Sequence, residues 1–211
     1  MVKTLSKQIS GLKQMKANTI GLLVAAAWTS LFSAAHAVPL SVTNVGAPAV
    51  NCVFHTTCTV VVTDSVGTFA LPGDAGDAKL QSRTYPGTAP APGAGTMAYV
   101  YRMDLTQMKG LTAVNCVTKF VINFGPVVPL PYHPGALFDV YVVTSGGLGT
   151  IGLSSADQVG TRIEFNFAKP VCPGDTSYFF GLASKSLVPK PGVAEVFRSL
   201  GGTVPTAVRI P

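Results

Sequence analysis

Residues 161–168 alternate without a break: Ile163, Phe165 and Phe167 are apolar, and Arg162, Glu164 and Asn166 between them are polar. Successive side chains on a strand point to opposite faces, so a period of two means one face buried and one in water. Residues 116–124 repeat the pattern, with Cys116, Thr118, Phe120, Ile122 and Phe124 on one face and Lys119 and Asn123 opposite. Residues 97–104 place Met97, Tyr99, Tyr101 and Met103 against Arg102 and Asp104. One dry and one wet face is the behaviour of antiparallel sheets.

Further strand-like runs fall at 39–45, 57–63, 137–144, 177–183, 193–198 and 204–210. Between the runs stand Pro72-Gly73, Pro92-Gly93, Gly125-Pro126, Pro134-Gly135, Gly146-Gly147, Pro173-Gly174 and Gly201-Gly202, which read as turns. Roughly eight to ten short strands with such turns predict an all-β fold, an antiparallel β-sandwich of immunoglobulin-like or jelly-roll-like type. Residues 72–95 are rich in Gly, Pro and Ala and read as one long exposed loop. Ser154-Ser155-Ala156-Asp157 reads as a loop, with a capped helical turn as the alternative.

The first residues are of another kind. Lys3, Lys7, Lys13 and Lys16 form a basic stretch without an acidic residue, followed by an apolar run at 20–32 and by Ser33-Ala34-Ala35-His36-Ala37. Small residues at the −3 and −1 positions of an Ala-His-Ala cut complete a cleavable signal peptide over 1–37. Met15 is an alternative start within it. The apolar run is shorter than the about 20 residues of a spanning helix. The expected mature protein is therefore a single domain, residues 38–211, secreted to the periplasm or the exterior. Without the four signal lysines, 15 basic residues fall to 11 against 9 acidic ones, and the formal charge of +6 falls to +2. A nucleic-acid partner would call for a basic stripe, and none is expected. Nor is a membrane span expected in the mature chain.

Cys52, Cys58, Cys116 and Cys172 are an even set behind an export signal and read as two disulfides. Of the three pairings open to four cysteines, we expect 52–58, which closes a short loop, and 116–172, which joins two strand-like runs. Zinc is the rival, with His55 between the first pair. However, the Cys-x5-Cys spacing lies outside the usual knuckle, and no metal is expected.

Candidate chemistry is sparse. His55 and His133 are the histidines left after maturation, neither in a motif that would pair a base with a nucleophile. No Gly-x-Ser-x-Gly elbow, P-loop, dinucleotide fingerprint or His-Glu-x-x-His stands out, and no cofactor is expected. Glu164 and Glu195 are the only glutamates and the candidates for paired-carboxylate hydrolysis. Asp157 is a further polar candidate. Asp74 and Asp77 supply two carboxylates where calcium wants six to eight oxygens. Tyr85, Tyr99, Tyr101, Tyr132, Tyr141 and Tyr178 could form a sugar platform, but most fall on strand faces, where core packing is the expected use. The only tryptophan, Trp28, leaves with the signal.

Gly174-Asp175-Thr176-Ser177-Tyr178-Phe179-Phe180-Gly181-Leu182-Ala183-Ser184-Lys185, followed by Pro191-Gly192-Val193-Ala194-Glu195-Val196, resembles the last strands of exported bacterial β-sandwich proteins of the PEP-CTERM and choice-of-anchor type. Those show a turn before a Ser–aromatic strand, a Ser-containing loop and a short final strand. The resemblance implies an extracellular or cell-surface protein without known catalysis. Such proteins end in Val-Pro-Glu-Pro, an apolar helix and basic residues. This chain instead has Val204-Pro205-Thr206-Ala207 and ends at Pro211, so free secretion is the expectation. The expected function is a non-catalytic structural or interaction protein with an extracellular or surface partner. The alternative is a secreted hydrolase or carbohydrate-binding protein acting on extracellular polymer.

Overall fold

The computed structural model describes residues 36–111 and 114–211. The expected signal peptide lies outside the described residues, apart from its last two, His36 and Ala37. In chain order the elements are β1 (Val38–Leu40), β2 (Val42–Gly46), a 3-10 turn (Ala49–Val53), β3 (Thr63–Phe69), β4 (Asp74–Ala75), β5 (Ala78–Pro86), β6 (Met97–Asp104) and β7 (Lys109–Gly110). They continue with β8 (Val117–Asn123), β9 (Leu130–His133), β10 (Ala136–Phe138), β11 (Val140–Ser145), β12 (Leu153–Val159) and β13 (Arg162–Val171). The last are β14 (Phe179–Ser184), β15 (Lys190–Arg198) and β16 (Thr203–Ile210).

Two six-stranded sheets form the sandwich. The first has the order β1-β12-β13-β8-β15-β16 and the second β2-β11-β14-β6-β5-β3; β4-β7 and β9-β10 are small separate pairs. Within both large sheets the pairings are antiparallel except β2 beside β11, which is parallel. The alternating residues meet between the sheets as predicted. Ile163, Phe165 and Phe167 face Tyr99, Tyr101 and Met103, with Phe120 and Phe180 in the same cluster. Phe120 stacks on Phe165 at 5.6 Å between ring centres, and Phe165 lies 5.0 Å from Phe180. The tyrosine hydroxyls escape the core: Tyr99 donates to the Ser186 carbonyl and Tyr101 to that of Arg209. A buried Tyr carries an apolar body but needs a partner for its O–H.

Four local readings are corrected. Residues 72–95 are not one exposed loop: β5 occupies residues 78–86 at their centre, with Ala78, Leu80, Ser82 and Thr84 turned inward. Only Leu80 and Tyr85 among its buried residues are large, and the buried Ser82 and Thr84 between them break the apolar signal. Residues 87–96 do connect strands, but they are packed. The Gly93 N–H bonds the Val53 carbonyl at 2.7 Å, and a Cβ at Gly93 would press on the Phe54 ring. Second, residues 57–62 hold no strand; β3 begins at Thr63, where β5 supplies its partner. Third, residues 154–157 lie in β12, neither loop nor helical turn. Their ladder is braced on the outer face, where Asn166 Nδ2 donates to Ser155 Oγ at 2.9 Å and to Asp157 Oδ2 at 3.3 Å. Last, Val117 rather than Thr118 enters the core. Phe197 pairs with Lys119 and Arg198 with Val117, so Thr118 is the extra residue of a bulge.

Both expected disulfides are present, Cys52–Cys58 and Cys116–Cys172. The second ties the start of β8 to the residue after β13. No described helix is long and apolar enough to cross a membrane.

Candidate functional site

The outer faces of the two sheets hold Glu164, Glu195 and Asp157 on one and Tyr85 and Tyr141 on the other, and they differ. On the first sheet, Glu164 of β13 and Glu195 of β15 both sit opposite Val121 of the intervening β8. The fold thus brings the two glutamates to one face, two strand spacings apart, or about 10 Å between backbones. Each is engaged by a cation: Lys119 Nζ lies 2.8 Å from Glu164 and Arg162 Nη2 2.7 Å from Glu195. Lys119 also rides over the Phe197 ring at 4.3 Å. A carboxyl kept protonated as an acid catalyst is normally held in apolar surroundings. These two lie on an open sheet face beside cations.

On the second sheet the outer face is covered. The 3-10 turn contributes Val50 and Val53, Phe54 follows it, and β9 adds Leu130 and Tyr132. They pack onto Tyr85, Val100, Tyr141, Val143 and Phe179 of the sheet as a second core. The Cys52–Cys58 bridge closes the turn that carries Val53 and Phe54. Phe54 meets Tyr85 edge-on at 5.1 Å, and Tyr132 lies 4.7 Å from Tyr141. Gly181 sits beneath Tyr141, where a Cβ would stand 2.7 Å from the phenol oxygen.

The phenols of this layer share a hydrogen bond, Tyr85 Oη to Tyr141 Oη at 2.8 Å, while the buried Tyr132 Oη has no partner among the described residues. Burial pushes the Tyr85 phenol up to about 12, the bond from Tyr141 and the charge of Arg83 offsetting part of the rise. Burial raises Tyr132 and Tyr141 well above the usual phenol range too. Such phenols stay neutral at physiological pH. Beside them a recess of about 290 Å³ is walled by Val50, Asn51, Leu148 and Phe179, with Arg83 at its side. The Arg83 guanidinium stacks 4.2 Å from the Phe179 ring and pairs with Asp64 at 2.9 Å.

The remaining candidates stand apart. His55 is half-buried in the disulfide loop, its Nδ1 reached by the Thr57 hydroxyl at 2.8 Å. His133 is exposed at the end of β9, with Nδ1 3.2 Å from the Pro134 carbonyl. Asp74 accepts from the Asn115 N–H, and Asp77 is exposed in the following turn. No group of three His, Cys, Asp or Glu side chains is placed to hold a metal among the described residues. Of the six tyrosines, five are buried and Tyr178 is half-buried, so no exposed aromatic platform forms among the described residues.

Two features escape sequence reasoning. The second core has a signal in the apolar residues on both faces of β11 and β14, a run expected of strands covered twice. Gly147-Leu148-Gly149-Thr150-Ile151-Gly152 also has the Gly-x-Gly-x-x-Gly spacing of dinucleotide sites. In those sites the run opens a helix whose N-terminus holds the pyrophosphate; here it links β11 to β12 and no helix follows.

Comparison with protein-family models, with curated proteins and with solved structures gives no match.

Proposed function

We propose that this chain is a non-catalytic structural or interaction protein, exported to an oxidising compartment and acting outside the cytoplasm or at the cell surface. The observation that carries the reading is how its acidic side chains are used. Every acidic residue other than Asp77 accepts a bond that holds the scaffold. Asp64 is held by Arg83, Asp104 by Arg102 and Thr106, Glu164 by Lys119 and Glu195 by Arg162. Asp139 accepts from Ser41, Asp157 from Asn166, Asp175 from the Cys172 N–H and Asp74 from the Asn115 N–H. General acid–base work needs a carboxylate or imidazole within reach of a second reacting group. Among the described residues the His55 and His133 rings hydrogen-bond only within their own loops. The resemblance to PEP-CTERM and choice-of-anchor sandwiches points the same way, and the two disulfides suit an exported chain.

The test is a screen of purified, disulfide-intact protein against polysaccharide and peptide polymers. We expect no turnover. Hydrolysis that disappears in Glu164→Gln, Glu195→Gln or His133→Ala would replace this reading with the secreted hydrolase. Export is tested separately, by N-terminal sequencing of the secreted form, which we expect to begin at Val38.

A further inference from the structure

The two disulfides sit in unlike surroundings. Cys116 is buried and fixed through its own backbone: its N–H bonds Ser199 Oγ at 3.0 Å, and its carbonyl takes the Ser199 N–H at 2.8 Å. Cys172 is half-buried, with its N–H held by Asp175 at 3.2 Å. With that bridge cut, the pairing of Val117 with Val171 would still keep both residues in place.

Cys52–Cys58 lacks such support on one side. Cys58 has a φ of +58° and is the one non-glycine residue with a left-handed backbone among the described residues. In that conformation a Cβ crowds the following carbonyl oxygen. Two ties hold Cys58 there, the disulfide and the bond from its N–H to the His55 carbonyl at 2.8 Å. Beyond it Thr59, Val60 and Val61 make no backbone hydrogen bond among the described residues, and of the three Val60 alone packs against the second core. Cys58 lies between the exposed Thr57 and Thr59, whereas Cys52 adjoins the buried Val53. The turn ahead of the bridge is tied separately: the Val53 carbonyl takes the Gly93 N–H at 2.7 Å and the Phe54 carbonyl the Thr88 N–H at 2.8 Å.

We infer that Cys52–Cys58 is a redox latch, which an external dithiol opens ahead of Cys116–Cys172, releasing residues 55–62 while the sandwich stays folded. Strained or accessible disulfides are the reducible ones, and structural disulfides resist. One thiolate of the dithiol attacks Cys58 Sγ. The bond between the two cysteines breaks, and Cys52 leaves as a thiolate that takes a proton from water. The second thiol of the reductant then attacks the mixed disulfide, frees Cys58 and leaves the reductant oxidised, so two electrons pass to the protein. Cys58 relaxes from its left-handed backbone. The segment let go is uncharged and β-branched from Thr59 to Val62, and Val61 is already 86 % exposed. The latch thus presents or withdraws an apolar segment beside the lid, whether or not the chain is catalytic.

The experiment treats the folded, disulfide-intact protein with graded dithiothreitol, alkylates the thiols formed and maps them by peptide mass. Hydrogen exchange is read on the same samples. We expect Cys52 and Cys58 to be alkylated at roughly one tenth of the dithiothreitol that Cys116 and Cys172 require. At that step the His55 and Cys58 N–H groups should lose protection, while β6 and β13 keep theirs. The Cys52→Ser, Cys58→Ser double variant should show the same exchange pattern without reductant. Should it misfold, reduction of the parent still decides. Labelling of Cys116 and Cys172 first, or of all four cysteines together, would overturn the inference. So would a reduced Cys52–Cys58 pair with His55 and Cys58 still protected, or protection lost across β6 and β13 at the same step. None of these results bears on the polymer-hydrolysis screen.

Discussion

The outer faces of the two sheets share a backbone geometry and differ in what lies on them. The first faces water. Its side chains alternate cleanly, and ion pairs such as Lys119–Glu164 decorate it. The second lies beneath the 3-10 turn, the Cys52–Cys58 loop and β9, so β6, β11 and β14 are buried on both faces. A strand covered on one side tolerates polar change on the other. A strand covered on both sides tolerates it on neither, because each face adds a transfer and a cavity cost. Each region also has its own disulfide, one within the lid and one at the end of the first sheet, where β8 begins and β13 ends.

The largest expected effect tests whether the lid is part of the cooperative unit. Phe54→Ala removes a fully buried ring at its centre, and the stability measured by urea unfolding should fall by about 3–5 kcal/mol. A loss under about 1 kcal/mol would show a lid that opens independently of the sandwich.

The disulfides come next. Replacing Cys116 and Cys172 by alanine should cost about 4 kcal/mol, and replacing Cys52 and Cys58 about 2 kcal/mol, because the longer loop restricts the unfolded chain more. A reversed ranking in thermal melts would mean that the small bridge acts mainly on the folded lid.

Alkaline pH should strike the buried tyrosines, those of the covered face and Tyr101 between the sheets. With Tyr85 pushed up to about 12 when folded and near 10 when unfolded, its contribution is fully present below about pH 10. It is lost as pH rises through about 12, amounting to a loss on the order of 3 kcal/mol. Tyr132 and Tyr141 shift in the same direction. Tyrosinate absorbance and dichroism should therefore change together. Ionisation of all the tyrosines near pH 10, with the fold intact, would contradict the buried cluster.

The smallest effect belongs to the wet face. Glu164→Gln should change stability by less than about 1 kcal/mol, as exposed ion pairs do. A larger loss in the same urea titration would mean that this face is covered too.

Much of this was legible from local pattern. The strands at 97–104, 116–124 and 161–168 show their period because large apolar residues alternate with charged ones. β5 and β12 do not: Ser82 and Thr84 are buried, as is Ala156, and none of them marks a strand by hydrophobicity. What makes them strands is pairing with the next strand in the chain, Ser82 opposite Tyr101 and Ala156 opposite Phe165, which their own side chains do not announce. The candidate residues divide likewise. Glu164 reads as a surface charge from its own strand, but its place beside Glu195 across Val121 depends on strand order.

The amino-acid sequence alone determined the class of this protein, because strand alternation and the turn residues between strands are local properties. It also specified the short Cys52–Cys58 loop, since the two residues are too near in the chain to require distant help. Only the tertiary structure decided which sheet would be covered twice and where the tyrosine hydroxyls would meet. Those outcomes depend on segments such as residues 49–54 and 130–133 arriving over a face formed by strands up to about 130 residues away. A side chain's burial there is set by what lands on it, a quantity that no window of neighbouring residues contains.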